Sequence, residues 1–412
     1  MPELPAADWL LPAGVPARMR RIIAARALRA FADGYVAILL PAYLLALGLD
    51  WLDLGLISTA TMAGSAAMTL ALGAFARRVA NRHLLTGAAV LMFCTGLGFA
   101  TLTSFWPLAI IAFIGTLNPS SGDVSIFLPV EQAELAGASA SSDGRTALYA
   151  RYTLAGSLFG ALGALAAALP PWLAQHLELA PLSALRVMFA LYGLIGLLVL
   201  QLYRAERSED QTPRPTATAA LPVLGESRKI VLRLAALFCV DSFASGLLVN
   251  AMLAAWLLQR FGMSLAAAGS FFFWAGLCTT ASQLLAPRIA RRIGLLRTMV
   301  FTHIPANCFL ICAAFAPTLP IALMLLLARS TLSQMDVPAR SAFVMAVVTP
   351  AERVAAASFT AVPKSLAAAC GPSIGGVLLA GGWLAAPLLA CGTLKICYDL
   401  ALLRAFRNYH VK

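Results

Sequence analysis

Arg77-Arg78-Val79-Ala80 lies between two apolar runs and returns as Arg291-Arg292-Ile293-Gly294, again between two apolar runs. Asp123-Val124 returns as Asp336-Val337 at the same shift of about 213 residues, which also carries Arg151 onto Lys364 and Gly163 onto Gly376. One half of the chain is thus a copy of the other. The copies are joined by the only long polar stretch, residues 204–229, which contains Ser208-Glu209-Asp210 and Thr212-Pro213-Arg214-Pro215. Such a stretch reads as an irregular connection. The division is therefore 1–203, a linker 204–229, and 230–412.

The duplicated material is apolar. Of 412 residues, 60% are hydrophobic and 12% charged, about half the charge of a soluble domain. Some twelve runs of roughly 20 residues recur, each long enough to cross the bilayer as a helix. They include 27–48, 106–128, 230–258, 319–342 and 354–380. The expected fold is an all-α integral membrane protein of about 12 transmembrane helices in two pseudo-symmetric six-helix bundles. Six is even, so both halves enter from one side and are related by an axis along the membrane normal.

The net charge of +12 is set by topology rather than by nucleic acid. Arg18, Arg20, Arg21 and Arg26 precede the first run, Arg77, Arg78 and Arg82 follow the second, and Arg228 and Lys229 close the linker. Arg288, Arg291 and Arg292 follow the eighth run; Arg404, Arg407 and Lys412 follow the last. The alternate loops hold a single Arg260. By the positive-inside rule both termini are cytoplasmic, and the expected location is the bacterial inner membrane. Trp51, Trp106, Trp172, Trp256 and Trp383 fall at the opposite face, as an interfacial belt would. All eight cysteines lie inside runs, which argues against a disulfide framework.

The loop between runs two and three resembles that of the major facilitator superfamily, Gly-x-x-x-Asp-Arg-x-Gly-Arg-Arg. Gly73, Arg78 and Arg82 match; Arg77 replaces the acid, Ala80 the second glycine and Asn81 an arginine. The resemblance extends to span count and linker position. It implies a permease that binds a small molecule between its halves, without a cofactor or resident metal, and works as a monomer. Gly371-Pro372-Ser373-Ile374-Gly375-Gly376 is similar to the Gly-Pro-x-x-Gly-Gly element of family antiporters, but lies in run eleven rather than five. Close helix packing explains the same residues.

Ionisable groups inside spans are costly and mark function. Asp33, Asp123, Asp241 and Asp336 fall one each on runs one, four, seven and ten, which the resemblance makes the cavity-lining helices. Asp123 and Asp336 lie roughly 26 Å from the outer ends of their runs. With Arg151 and Lys364 they form either a cytoplasmic gate or static braces, alongside Arg77, Arg78, Arg291 and Arg292. Asp33 is a proton-coupling carboxylate or a local ion pair with Arg29, one turn before it; Asp241 has the same two readings. Arg329 lies roughly 15 Å into run ten, near the midplane. With Asn118, in the breakable stretch Asn118-Pro119-Ser120-Ser121-Gly122, it is a candidate substrate contact, or else it pairs with Asp33 or Asp241. Lys395 and Asp399, at i,i+4, should pair with each other.

These readings converge on a secondary active transporter, with proton-coupled efflux of a small organic molecule as the first expectation. The alternatives are uptake of an anion or metabolite anchored by Arg329, metalloid efflux through Cys308 and Cys312, and a non-transporting receptor or assembly factor. The four histidines are scattered and there is no nucleotide-binding loop, which speaks against an enzyme.

Overall fold

The computed structural model describes residues 16–75, 79–120, 127–137, 142–205, 225, 227–349 and 352–407. The described residues are helical throughout, without a strand. The first half holds α1 (Ala17–Ala46), α2 (Trp51–Phe75), α3 (Asn81–Thr101), α4 (Phe105–Ile114), α5 (Phe127–Gly137), α6 (Ser142–Leu165), α7 (Leu169–His176) and α8 (Pro181–Arg204). The second holds α9 (Arg228–Leu247), α10 (Asn250–Phe261), α11 (Leu265–Ile293), α12 (Leu295–Ala314), α13 (Leu319–Ser330), α14 (Asp336–Val347), α15 (Arg353–Ala380) and α16 (Ala386–Phe406). Ten of the expected spans appear as helices, or directly joined helix pairs, long and apolar enough to cross a membrane. The fourth and tenth runs are each divided into two short helices, α4 with α5 and α13 with α14.

The divisions have local causes. After α4, Gly115 turns extended, and Pro119 has no N–H to continue a helix. In the tenth run Pro338 withdraws the N–H that would bond the Gln334 carbonyl, and α14 starts afresh at Asp336. The seventh run is also interrupted: Leu248 and Val249 leave helical geometry between α9 and α10. Lipid tails cannot satisfy freed backbone groups, so protein must. Thr95 Oγ1 accepts from the Thr116 N–H at 3.3 Å, and Tyr192 Oη donates to the Thr116 carbonyl at 3.0 Å. The Pro119 carbonyl accepts from the Ala251 N–H at 3.0 Å, so the interruptions of spans four and seven are bonded to each other across the two halves.

Within the first half α1 packs on α6 and α8, and α3 on α8; within the second α9 packs on α15 and α16, and α12 on α16. The halves meet through α2 with α15, α6 with α11, and α1 with α10. At the tryptophan end one apolar core runs through both halves, from Tyr43, Phe99 and Phe189 to Leu253, Trp256 and Leu388. At the basic end the core is divided. Met19, Ile22, Leu135 and Tyr152 form one cluster, and Val231, Phe238, Phe343 and Phe406 another. Among the described residues the core thus joins the halves at the tryptophan end and is divided between them at the basic end.

The junction at the tryptophan end is built on backbone. A Cβ placed on Gly376 would lie 2.7 Å from the Trp51 carbonyl oxygen, and one on Gly55 would lie 2.5 Å from that of Pro372. Gly371 and Gly375 approach Gly246 and Leu247 as closely on the other side of α15. The Ser373 N–H donates to Thr59 Oγ1 at 2.9 Å. The Gly371–Gly376 element thus makes close helix packing on two sides at once.

One sequence expectation changes here. Trp106, Trp172 and Trp383 are exposed as a belt requires, but Trp256 is fully buried against Phe261. It follows the interruption in span seven, where α10 turns inward against α1. Cys308 and Cys312 are exposed on α12. Among the described residues no three His, Cys, Asp or Glu side chains gather where a metal ion could be held.

Candidate functional site

A cavity of about 510 Å³ lies between the halves. The first half contributes Arg26 and Gly34 of α1, Ser120 from the span-four interruption, and Ser157 and Gly160 of α6. The second contributes Ser242 and Ser245 of α9, Asn250, Phe271, Phe272 and Gln283 of α11, His303, Arg329, Cys391 and Lys395. Among the described residues its wall carries two arginines, one lysine and one histidine, and no carboxylate.

The second half holds a ladder of charge behind that wall. Lys395 Nζ donates to Asp241 Oδ1 at 2.7 Å, and an Arg340 Nη donates to Asp241 Oδ2 at 2.8 Å. Arg340 also pairs with Asp336, one helical turn back on α14, and lies over the Phe238 ring at 5.2 Å. Asp399 accepts from His303 Nδ1 at 3.0 Å. The expected Lys395–Asp399 pair is therefore absent. Both residues face inward on α16, but α9 and α12 bring Asp241 and His303 closer to each than they are to one another. Asp336 is likewise satisfied by Arg340 rather than by the expected Lys364, because α14 begins at Asp336 and presents Arg340 at i,i+4. Lys364 is half-buried on α15, near enough to feel Asp241 and Asp336 but outside ion-pair distance.

In the first half the Arg29 fork grips Glu131 at 2.6 and 2.9 Å. Tyr203 and Tyr152 hydroxyls each donate to Glu131 at 2.6 Å, and Arg29 lies 3.9 Å above the Phe127 ring. Arg29 thus does not serve Asp33 as an exclusive local partner. Asp33 is buried, within electrostatic reach of Arg26 and Arg29, and is followed at once by Gly34 of the cavity wall. Glu131, which is buried, and Arg340, which is partly buried, are ionic residues that sequence reasoning passed over. Glu131 falls just past 106–128 and reads as loop until the interruption moves α5 inward. Arg340 follows Asp336 by four residues, the same spacing that singled out Arg29 and Asp33.

The remaining candidates are placed as follows. Asn118 is buried and its Oδ1 accepts the Ser120 N–H and hydroxyl at 3.0 and 2.7 Å; it shapes the turn, and Ser120 lines the cavity in its place. Asp241 stands behind Lys395 rather than in the wall. Arg329 ends α13 and lines the cavity; its Nε is buried with no acceptor, and neither Asp33 nor Asp241 is its ion-pair partner. Arg151 is half-buried on α6, and Arg291 and Arg292 are exposed in the last turn of α11, where cations favour a helix C-terminus. Arg77, Arg78 and Asp123 lie outside the described residues.

Sequence comparison decides the family, whose profile, Major Facilitator Superfamily, matches residues 22–334. The chain belongs to the Major Facilitator Superfamily. An uncharacterized membrane protein of Saccharomyces cerevisiae is 25% identical over 93% of each chain. Solved transporters of the superfamily's fold superpose along nearly the whole length. The nucleoside transporter NupG has a TM-score of 0.73 at 14% identity, covering 95% of this chain and 100% of its own. A D-xylose-proton symporter has 0.72 at 16%, covering 96% and 98%. The human organic anion transporter MFSD10 has 0.62 at 18%, covering 93% and 99%. Identities this low establish the shared fold, and the superfamily's transporter architecture accounts for the two packed halves and the cavity between them.

Proposed function

We propose that the protein is a proton-coupled secondary transporter that moves a small solute by alternating access. The observation that carries this reading is the cavity itself: both halves line it, and among the described residues the core joins the halves at one end and is divided at the other. With the basic end in the cytoplasm, as the positive-inside rule directs, the site faces inward here. Rocking the halves about the bonded interruptions of spans four and seven would expose the same residues outward. The units that rock are residues 1–203 and 230–412, in a monomer of the inner membrane.

Asp33 is the proposed proton carrier. It is buried on α1 beside Gly34 of the cavity wall, within electrostatic reach of Arg26 and Arg29. Export is the direction suggested by the likeness of Gly371–Gly376 to the antiporter element. Import of an anion is the second reading, favoured by the cations of the cavity wall. The purified protein in liposomes with an imposed pH gradient tests the proposal. Asp33→Asn should abolish proton-driven accumulation of solute while solute-for-solute exchange continues. Unchanged proton-linked flux removes Asp33 from the mechanism, and no proton-linked flux for cationic, neutral or anionic solutes sinks the reading.

A further inference from the structure

The charge of the cavity wall is one-sided, and the imbalance is local. Behind it, Asp241, Asp336 and Asp399 face Arg329, Arg340, Lys364 and Lys395, one cation more than carboxylates. Arg340 and Lys395 hold Asp241, Arg340 also holds Asp336, and His303 holds Asp399. Arg329 and Lys364 are the cations outside ion-pair distance of these acids, and of the two Arg329 lines the cavity. A guanidinium has five donors in a fixed plane, and leaving them unpaired away from bulk water is costly. The Nε of Arg329 is buried without an acceptor.

Lys395 is placed to share the task. Its contact with Asp241 uses one of three ammonium protons, and Asp241 keeps Arg340 on its other oxygen if that contact loosens. Arg329 and Lys395 both lie close to the Cys391 thiol, one turn before Lys395 on α16. Two donors of different shape thus line one cavity within electrostatic reach of the same thiol, with Phe271 and Phe272 providing an apolar surface in that cavity.

We propose that this part of the cavity binds the oxyanion group of a small organic anion, a carboxylate in the simplest case. Arg329 would supply a bidentate fork and Lys395 a point charge, with the carbon skeleton lying on Phe271 and Phe272. The proposal rests on the reading of the cavity as the solute path and narrows its substrate class. Among the described residues, a cation entering this cavity would meet Arg26, Arg329 and Lys395 and no carboxylate in the wall. A neutral solute would leave Arg329 as it is. An inorganic anion would satisfy the cations but leave most of a 510 Å³ cavity, and its aromatic wall, unused; organic ligands fill cavities of about 300–1,000 Å³. Arg suits a planar carboxylate better than Lys does, because two parallel donors meet two oxygens.

The test is thermal stability of the purified full-length protein in detergent. The probes are benzoate, succinate, inorganic phosphate, tetraethylammonium and glucose, at ionic strength matched with chloride. A ligand that binds the folded state raises the midpoint in a concentration-dependent way. Benzoate or succinate should do so, and phosphate more weakly. Arg329→Gln and Lys395→Gln should each raise the concentration for half-effect at least about tenfold, which is about 1.4 kcal/mol. Arg329→Lys, which keeps the charge and loses the fork, should fall between, and it carries the test if Arg329→Gln does not fold. No shift with either organic anion overturns the proposal, as does a larger shift with tetraethylammonium or glucose, or a benzoate shift that survives both Gln substitutions. Flux of labelled benzoate in liposomes separates the two readings. Arg329-dependent binding without flux removes transport and keeps the anion site; flux unaffected by Arg329→Gln removes the site and keeps transport.

Discussion

Arg29 and Glu131 show how a residue visible in the sequence differs from its role. Arg29 was legible as a cation inside a span, and Asp33 as an acid one turn away. The fork nevertheless goes to Glu131, 102 positions along, where two tyrosine hydroxyls complete the carboxylate. A buried charge chooses the partner that packing delivers, and one sequence does not report packing across helices. The same holds for Lys395, which turns to Asp241 on α9 and away from Asp399 on its own helix. Arg29→Met should lower stability by about 3–5 kcal/mol, because it leaves a buried carboxylate with only neutral donors. Thermal unfolding in detergent reads this, and adding Glu131→Gln should recover part of the loss; full additivity of the two would mean the pair is not coupled. Glu352 offers a pH test outside the membrane. Hydrogen bonds from Ser227 and from the Gly225 N–H hold its carboxyl down to about 2. A depressed carboxyl stabilises the folded state above its unfolded pKa, about 4.5, and loses that contribution as pH falls toward 2. The difference in melting midpoint between the protein and Glu352→Gln should therefore be constant from pH 7 to 5 and shrink below pH 4.5. A difference that does not change with pH would show that the hydrogen bonds, and not the charge, tie residues 225–227 to α15.

At the scale of elements, the number of spans was legible because apolar length is a strong constraint, and most observed helix bounds fall within a few residues of the runs. The interruptions were less so. Asn118-Pro119 announces the one in span four, and Pro338 marks the one in span ten. The interruption of span seven was visible only as a run, 230–258, longer than a single crossing needs. That Pro119 and Ala251 bond to each other follows from how the halves face, which no local signal carries. The contact of α2 with α15 is the element on which state depends. Gly376 meets Trp51 and Gly55 backbone to backbone, with no side chain able to yield. Gly376→Val should therefore part the halves at the tryptophan end and shift the population toward the opposite state. Spin labels at Arg204 and Arg404, on the basic ends of α8 and α16, should move closer together in the variant. Unchanged distances would show that this crossing does not set the state.

For the whole molecule, duplication predicted two similar halves, and the helices repeat as expected. Their buried charges do not. The first half wraps its most buried ion pair, Arg29 with Glu131, in tyrosine hydroxyls, whereas the second places three acids on three helices and leaves Arg329 in the cavity wall outside ion-pair distance of all three. The contrast of Arg329 with Thr116, its counterpart in the first copy, was legible as a break in symmetry; what it faces became visible only with the cavity. Thr116 is bound by Tyr192 and Arg329 is open to the space between the halves. That cation in the cavity wall also bears on membrane voltage. An elementary charge carried through the full field is worth about 2.3 kcal/mol per 100 mV. An empty carrier whose access changes around Arg329 would move some fraction of that positive charge through the field, and a monovalent anion held there would cancel the Arg329 contribution. In the proposed cycle a negative interior would favour the empty carrier with Arg329 turned inward, so the return of the empty carrier is the step at which voltage acts on this charge.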